Sequence, residues 1–177
     1  GMVRLSAEEF VPYPAEELVI DECILQKLPE GQARVLAVFA HHNVVDTHVR
    51  LLEQAGAEPE KIFVSSACLA SAAIAAQEDA AQRYALVNLA SGGLEVLVMN
   101  GKRLEFGRGI ATGQDWSTLA EEPSEAREEL SIEVRASLSA HKRESEDGMG
   151  VDHIYVCSSW ADVSPAVDML FQETGYE

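Results

Sequence analysis

Positive charge is scarce in this chain: 13 lysines and arginines stand against 30 aspartates and glutamates, for a formal net charge of −17. Such a surface repels phosphate backbones and anionic lipid, which argues against nucleic-acid binding and against direct membrane insertion. Long apolar runs are missing as well. None approaches the roughly 18–20 residues that a spanning helix needs, and the amino terminus lacks the basic-then-apolar order of a signal peptide. Cysteine is sparse: Cys23, Cys68 and Cys157 lie far apart, and no CxxC spacing offers a zinc site or a redox pair. Each sits in an apolar run and reads as a small buried hydrophobe, in keeping with a reducing cytoplasm. No repeat or low-complexity segment is present.

What is there belongs to a folded α/β protein. The 177 residues, 47% of them apolar, suffice for one domain or two small ones. Gly1 before Met2 has the form of a tag-removal scar, so a longer parent protein is expected. The clearest local pattern runs from Tyr84 to Thr112, where three alternating apolar runs are separated by Ser91-Gly92-Gly93 and by Asn100-Gly101. Asn-Gly between such runs predicts a type I′ hairpin turn, so an antiparallel meander is expected.

In chain order, Ser6-Ala7-Glu8-Glu9 suggests a capped helical turn, and Phe10-Val11-Pro12-Tyr13-Pro14 an extended, kinked path. The stretch ELVIDECILQKL alternates as a half-exposed strand, and Pro29-Glu30-Gly31-Gln32 makes a turn. ARVLAVFA is apolar on both faces and predicts a central, buried strand. Asn43 is expected to cap a helix that ends at Gly56, KIFVSS to form a short strand, and ACLASAAIAAQ a small-residue helix. After the meander, Asp115 reads as a cap and Glu122-Pro123 as the restart of a long helix with Ala126, Leu130, Val134 and Leu138 along one stripe. VDHIYVC is a further strand and SPAVDMLFQETG a final helix. A meander followed by helix, strand and helix is the order of a ribonuclease-H-like layer, a mixed sheet whose later strands are parallel and reached by right-handed crossovers.

Several of these stretches carry a specific resemblance. FVPYPAEELVIDECIL, VLAVFAHHNVVDTHVRLLEQAGAEPEKI and YALVNLASGGLEVLVMNGKRLEFGRGIATGQD resemble segments of the PilM family of type IV pilus assembly proteins, relatives of actin and FtsA. The last includes that family's ending at Arg108, Ile110 and Gly113, and the long helix followed by VDHIYVCSSW resembles its approach to the adenosine loop. The resemblance implies an actin-like ATPase, ribonuclease-H-like mixed sheet with flanking helices, truncated, with a small α/β inserted subdomain over residues 5–62 and the ribonuclease-H-like part over 63–177. It places the second phosphate loop at Asn88, Ser91, Gly92 and Gly93, and the adenosine loop at Ser158 and Ser159.

Departures from the family pattern fall on those positions. Asn88 stands where an aspartate orients metal-bound water, and Leu94-Glu95 where hydroxyl residues are usual. Asn88 cannot supply the charge that attracts magnesium, and Glu95 would repel a triphosphate if it faced the pocket. Ser158-Ser159-Trp160 replaces paired glycines, and each Cβ obstructs a nucleotide. No cofactor is therefore expected, ATP with magnesium being the alternative if a first phosphate loop lies upstream.

Plainer readings compete at each position. Ser91-Gly92-Gly93 is also an ordinary hairpin turn, and His42 with Asp46, spaced i, i+4, suits a polar edge better than a metal. The acids Glu121, Glu122, Glu125, Glu128 and Glu129 suit a helix start. Cys157 at a strand end is a conceivable nucleophile, and Asp21 with Glu22 a carboxylate pair without further support. Phe10 and Tyr13 border, by resemblance, the region where the family holds the cytoplasmic tail of a membrane-anchored PilN-like partner; core packing is the competing role. Two functions follow: a non-catalytic, cytoplasmic actin-like adaptor of a pilus or secretion-type platform, peripheral to the inner membrane through its partner, or a nucleotide-dependent switch.

Overall fold

The structure, a computed structural model, describes residues 13–76, 82–121, 124–145, 147–158 and 162–174, and the chain divides into two units, Gly1–Val64 and Ser65–Glu177. The expected helical turn at Ser6–Glu9, Phe10 and the Glu122-Pro123 restart lie outside the described residues.

In the first unit, β1 (Leu18–Lys27) and β2 (Ala33–His41) pair antiparallel, with a register shift between Ile24 and Gln26. Helix α1 (His42–Gln54) packs beside them and ends at Gly56, where the Gly56 N–H donates to the Glu53 carbonyl and the Ala57 N–H to that of Leu52. Four expectations need correction here. Cys23 is exposed on β1, and Cys68 further along is exposed as well, so neither is the buried hydrophobe expected. β2 is not a central strand: among the described residues its only partner is β1, and none of its residues is fully buried. His41, in extended backbone, takes the N-cap place, so Asn43 lies inside the helix and its carbonyl accepts from Thr47 Oγ1 at 2.6 Å. Residues 61–64 form no strand, and Ser65 already opens the next helix. Leu18 is the one buried side chain of this unit among the described residues.

The second unit opens with helix α2 (Ser65–Ala76) and continues into the meander of β3 (Arg83–Ala90), β4 (Gly93–Asn100) and β5 (Arg103–Ala111). A single 3-10 turn (Trp116–Ala120) follows, started by the Asp115 carboxylate, which accepts from the Ser117 N–H at 3.0 Å. Helix α3 (Glu125–Glu144) is capped by Ser124, then come β6 (His153–Ser158) and helix α4 (Ser164–Thr174). The strand order is β5-β4-β3-β6, with β3 antiparallel to β4 and parallel to β6. This is the mixed α/β sheet expected from the element order.

Side-chain alternation builds two apolar layers on it. Val87, Leu89, Leu94 and Val96 face Trp116, Leu119, Leu130, Val134, Met169 and Leu170, which belong to the 3-10 turn, α3 and α4. Tyr84, Leu86, Leu97 and Met99 face Ala70 of α2 on the opposite side.

Both hairpin turns are two residues long, and each is displaced from its expected place. Ala90 pairs with Gly93, leaving Ser91-Gly92 as the turn, and Asn100 pairs with Arg103, leaving Gly101-Lys102. Asn100 is thus the last residue of β4. Only Gly101 takes positive φ, +57°, in the second turn, so glycine comes first and the type I′ requirement does not apply.

Candidate functional site

The carboxyl ends of the parallel strands β3 and β6 lie side by side, where open α/β sheets place their ligands. Asn88, Ser91, Gly92, Gly93 and Ser158 converge there, as Leu89 is paired with Ser158 just before the Ser91-Gly92 turn. Ser159 and Trp160 lie outside the described residues. Tyr13 belongs to the first unit, where it is exposed and its ring stands edge-on to His41 with centroids 4.2 Å apart.

Register decides the surroundings of Asn88: Glu95 of β4 is opposite on one side and Cys157 of β6 on the other. Its Nδ2 donates to Glu95 Oε2 at 3.2 Å, and the Cys157 thiol donates to its Oδ1 at 3.7 Å. Glu95 Oε1 accepts from Ser65 Oγ, at the first residue of α2, at 2.6 Å. A polar chain of four residues thus crosses three strands and ends at a helix N-terminus, where a carboxylate is favoured by the helix dipole. Burial pushes the Cys157 thiol up and the Glu95 charge adds to the effect, so the thiolate that a nucleophile requires is disfavoured.

The turn itself is built from carbonyls already in use. The Trp116 indole N–H donates to the Ala90 and Gly93 carbonyls at 2.9 and 2.8 Å, and the Gly92 carbonyl accepts from the Thr112 and Gly113 N–H groups at 3.1 and 2.9 Å. Ser158 Oγ donates to the Leu89 carbonyl at 3.1 Å. Gly93 has a packing reason to be glycine: a Cβ there would overlap the Ile110 carbonyl oxygen of β5. Replacing Gly93 with Ala is expected to cost about 1–3 kcal/mol by overpacking against backbone. A thermal melt checks this; an unchanged midpoint would return the glycine to a ligand-binding explanation.

Two side chains beside this loop oppose a magnesium-bound triphosphate. The Asn88 amide is held by a carboxylate and carries no charge for the metal. That carboxylate repels phosphate: unit like charges about 4 Å apart interact by about 4 kcal/mol at an effective dielectric of 20. Among the described residues no group of three or more His, Cys, Asp or Glu is placed to hold a metal ion, and His42 and Asp46 are both exposed on α1. Trp116 is the residue that sequence reasoning missed; its position directly after Gly113-Gln114-Asp115 was its only signal.

No family model and no curated protein matches the chain. Solved structures do. A chain of a PilM-PilN type IV pilus biogenesis complex superposes with a TM-score of 0.80 at 18% identity, covering 99% of this chain. A Bacteroides thetaiotaomicron protein with an actin-like ATPase fold and unknown function superposes with a TM-score of 0.58 at 10% identity, again over 99% of this chain. The fold is actin-like. That is the fold class the sequence resemblance implies. The chain spans 59% and 58% of the lengths of those two proteins. Among the described residues no helix is long and apolar enough to cross a membrane.

Proposed function

We propose that the chain is a non-catalytic actin-like adaptor of a type IV pilus or related secretion-type assembly platform. Its partner is the cytoplasmic tail of a membrane-anchored protein of the PilN kind, and that partner holds it at the inner membrane from the cytoplasmic side. The likeness to a chain of a PilM-PilN complex supports the setting. The observation that carries the non-catalytic part is the Asn88–Glu95 pair: the side chains that would meet a nucleotide are bonded to each other instead. Phe10 and Tyr13 border the docking region in this reading, and the exposure of Tyr13 suits an anchor.

Two titrations test it. A synthetic peptide of the PilN-like tail is expected to bind saturably and to bind less well to the Tyr13→Ala variant. Magnesium and ATP are expected to leave the melting temperature unchanged, whereas a ligand at 100 times its dissociation constant would add about 2.7 kcal/mol. No binding of the tail would sink the adaptor, and a rise of several degrees with ATP would sink the inert site.

A further inference from the structure

The chain holds three asparagines, and they are unequal in one chemical respect. Asn43 precedes Val44 and Asn88 precedes Leu89, whose side chains shield the backbone nitrogen that follows, whereas Asn100 precedes Gly101. An unshielded glycine nitrogen attacks the asparagine side-chain carbonyl carbon, expelling ammonia and closing a five-membered succinimide. Water then opens that ring to aspartate or isoaspartate. The reaction needs no enzyme or cofactor, only backbone freedom of the kind glycine permits.

The fold withholds that freedom at every atom the reaction uses. Asn100 is the last residue of β4 and is paired with Arg83 of β3 on one side and Arg103 of β5 on the other. The Gly101 N–H, which must lose its proton for the nitrogen to attack, donates to the Gln82 carbonyl at 3.0 Å. The leaving nitrogen, Asn100 Nδ2, donates to Glu105 Oε1 at 2.9 Å. Gly101 is itself buried, and the Tyr84 hydroxyl donates to its carbonyl at 3.5 Å. Ring closure therefore requires the β4–β5 hairpin to open first.

The product does not fit the place that the amide leaves. Aspartate at position 100 sets a carboxylate where Nδ2 donated, against Glu105 Oε1, whose side chain is 8% exposed. Glu105 then loses a donor and gains a like charge in one step. Isoaspartate adds a methylene to the main chain between positions 100 and 101, and the two-residue Gly101-Lys102 turn no longer joins its strands in register.

We infer that Asn100 is a site of spontaneous deamidation, guarded by the closed β4–β5 hairpin, and that its product cannot rebuild the cluster around Glu105. A copy that stays open is converted one way, so the site marks chains that have lost this hairpin. The inference does not depend on the pilus reading, because every residue it uses lies within the sheet of the second unit and its turns.

The test ages the unmodified chain at mildly alkaline pH, once folded in buffer and once unfolded in urea. Trypsin cuts after Arg83 and Lys102 and releases residues 84–102 as one peptide. Its gain in mass counts the converted fraction, and its fragments tell Asn100 from Asn88. Conversion is expected at Asn100 alone, at least roughly tenfold slower in the folded chain, each factor of ten matching about 1.4 kcal/mol of opening free energy. On dilution from urea the unconverted chains should refold and the converted ones should not. Asn100→Asp should lower the melting temperature, and Asn100→Asp with Glu105→Gln should lose less than the two single losses added together. Equal rates in the folded and unfolded chain, or conversion at Asn88 to the same extent, would overturn the inference. So would converted chains in the refolded fraction, a wild-type melt for Asn100→Asp, or strictly additive losses.

Discussion

Replacing Trp116 with Ala should lower the stability of the second unit by about 3–5 kcal/mol, the usual cost of emptying a large buried aromatic site. The indole is fully buried in the layer between the sheet and helices α3 and α4. Its N–H also donates to the Ala90 and Gly93 carbonyls, the two residues that close the Ser91-Gly92 turn. The loss therefore has an apolar and a polar part, and Trp116→Phe separates them. It keeps most of the volume but leaves two inward carbonyls without their donor, at about 1–3 kcal/mol. Thermal melts of both variants give the magnitudes. Hydrogen exchange gives the place: the Thr112 and Gly113 amides, bonded to the Gly92 carbonyl, should exchange faster in both. Full protection of those amides in Trp116→Phe would show that the turn is held without the indole.

How much of this site could be read in the sequence depends on one residue of turn length. With Ser91-Gly92-Gly93 taken as a three-residue turn, Asn88 and Glu95 are two separate departures from a family pattern. With Gly93 in the strand, the pairing runs Ala90 to Gly93, Leu89 to Leu94 and Asn88 to Glu95, and the two departures become one contact. The deciding fact, the Ile110 carbonyl beside Gly93, comes from β5 and is not local. The meander and the parallel return of β6 were legible because alternation and turn residues are local signals. The first unit was less so. ARVLAVFA has the composition of a central strand, yet only one strand pairs with it among the described residues, since composition reports apolarity and not the number of neighbours.

The bulge in β5 was equally invisible. Leu104 and Phe106 are two apart and by alternation share a face. The extra residue Glu105 sends Leu104 to the α2 layer and Phe106 to the α3 side. What makes the bulge tolerable is the environment of its carboxylate, assembled from β3, β4, β5 and α3, and no pattern within β5 announces it.

That carboxylate should carry the largest acid-dependent share of the fold's stability. Glu105 is 8% exposed; Oε1 accepts from Arg103 at 2.6 Å and from Asn100 Nδ2 at 2.9 Å, and Oε2 lies 2.9 Å from Arg83 Nε and 3.3 Å from His141 Nε2. Burial alone would raise its pKa. The hydrogen bonds from Asn100, Arg103 and His141 and the charge of Arg83 outweigh burial and hold it at about 2, against an ordinary value of 4.5. The unfolded chain therefore binds this proton more readily than the folded one. The stabilisation is fully present above about pH 5 and is lost as pH falls toward 2, amounting to about 3 kcal/mol. Glu105→Gln keeps the shape and removes the titration, so the acid limb of its stability curve should be shallower than that of the wild type. Glu105→Ala goes further, leaving Arg83 buried beside Asn100 and His141 without their acceptor, and should cost about 3–5 kcal/mol at pH 7. Asp147, paired with Arg83 at 2.8 Å, is also held below the usual carboxylate range and titrates in the same direction. The comparison is therefore made in an Asp147→Asn background, where denaturant melts from pH 7 to pH 3 should still show the steeper wild-type limb. Parallel curves for Glu and Gln at position 105 would mean that the bulge is held by packing and not by charge.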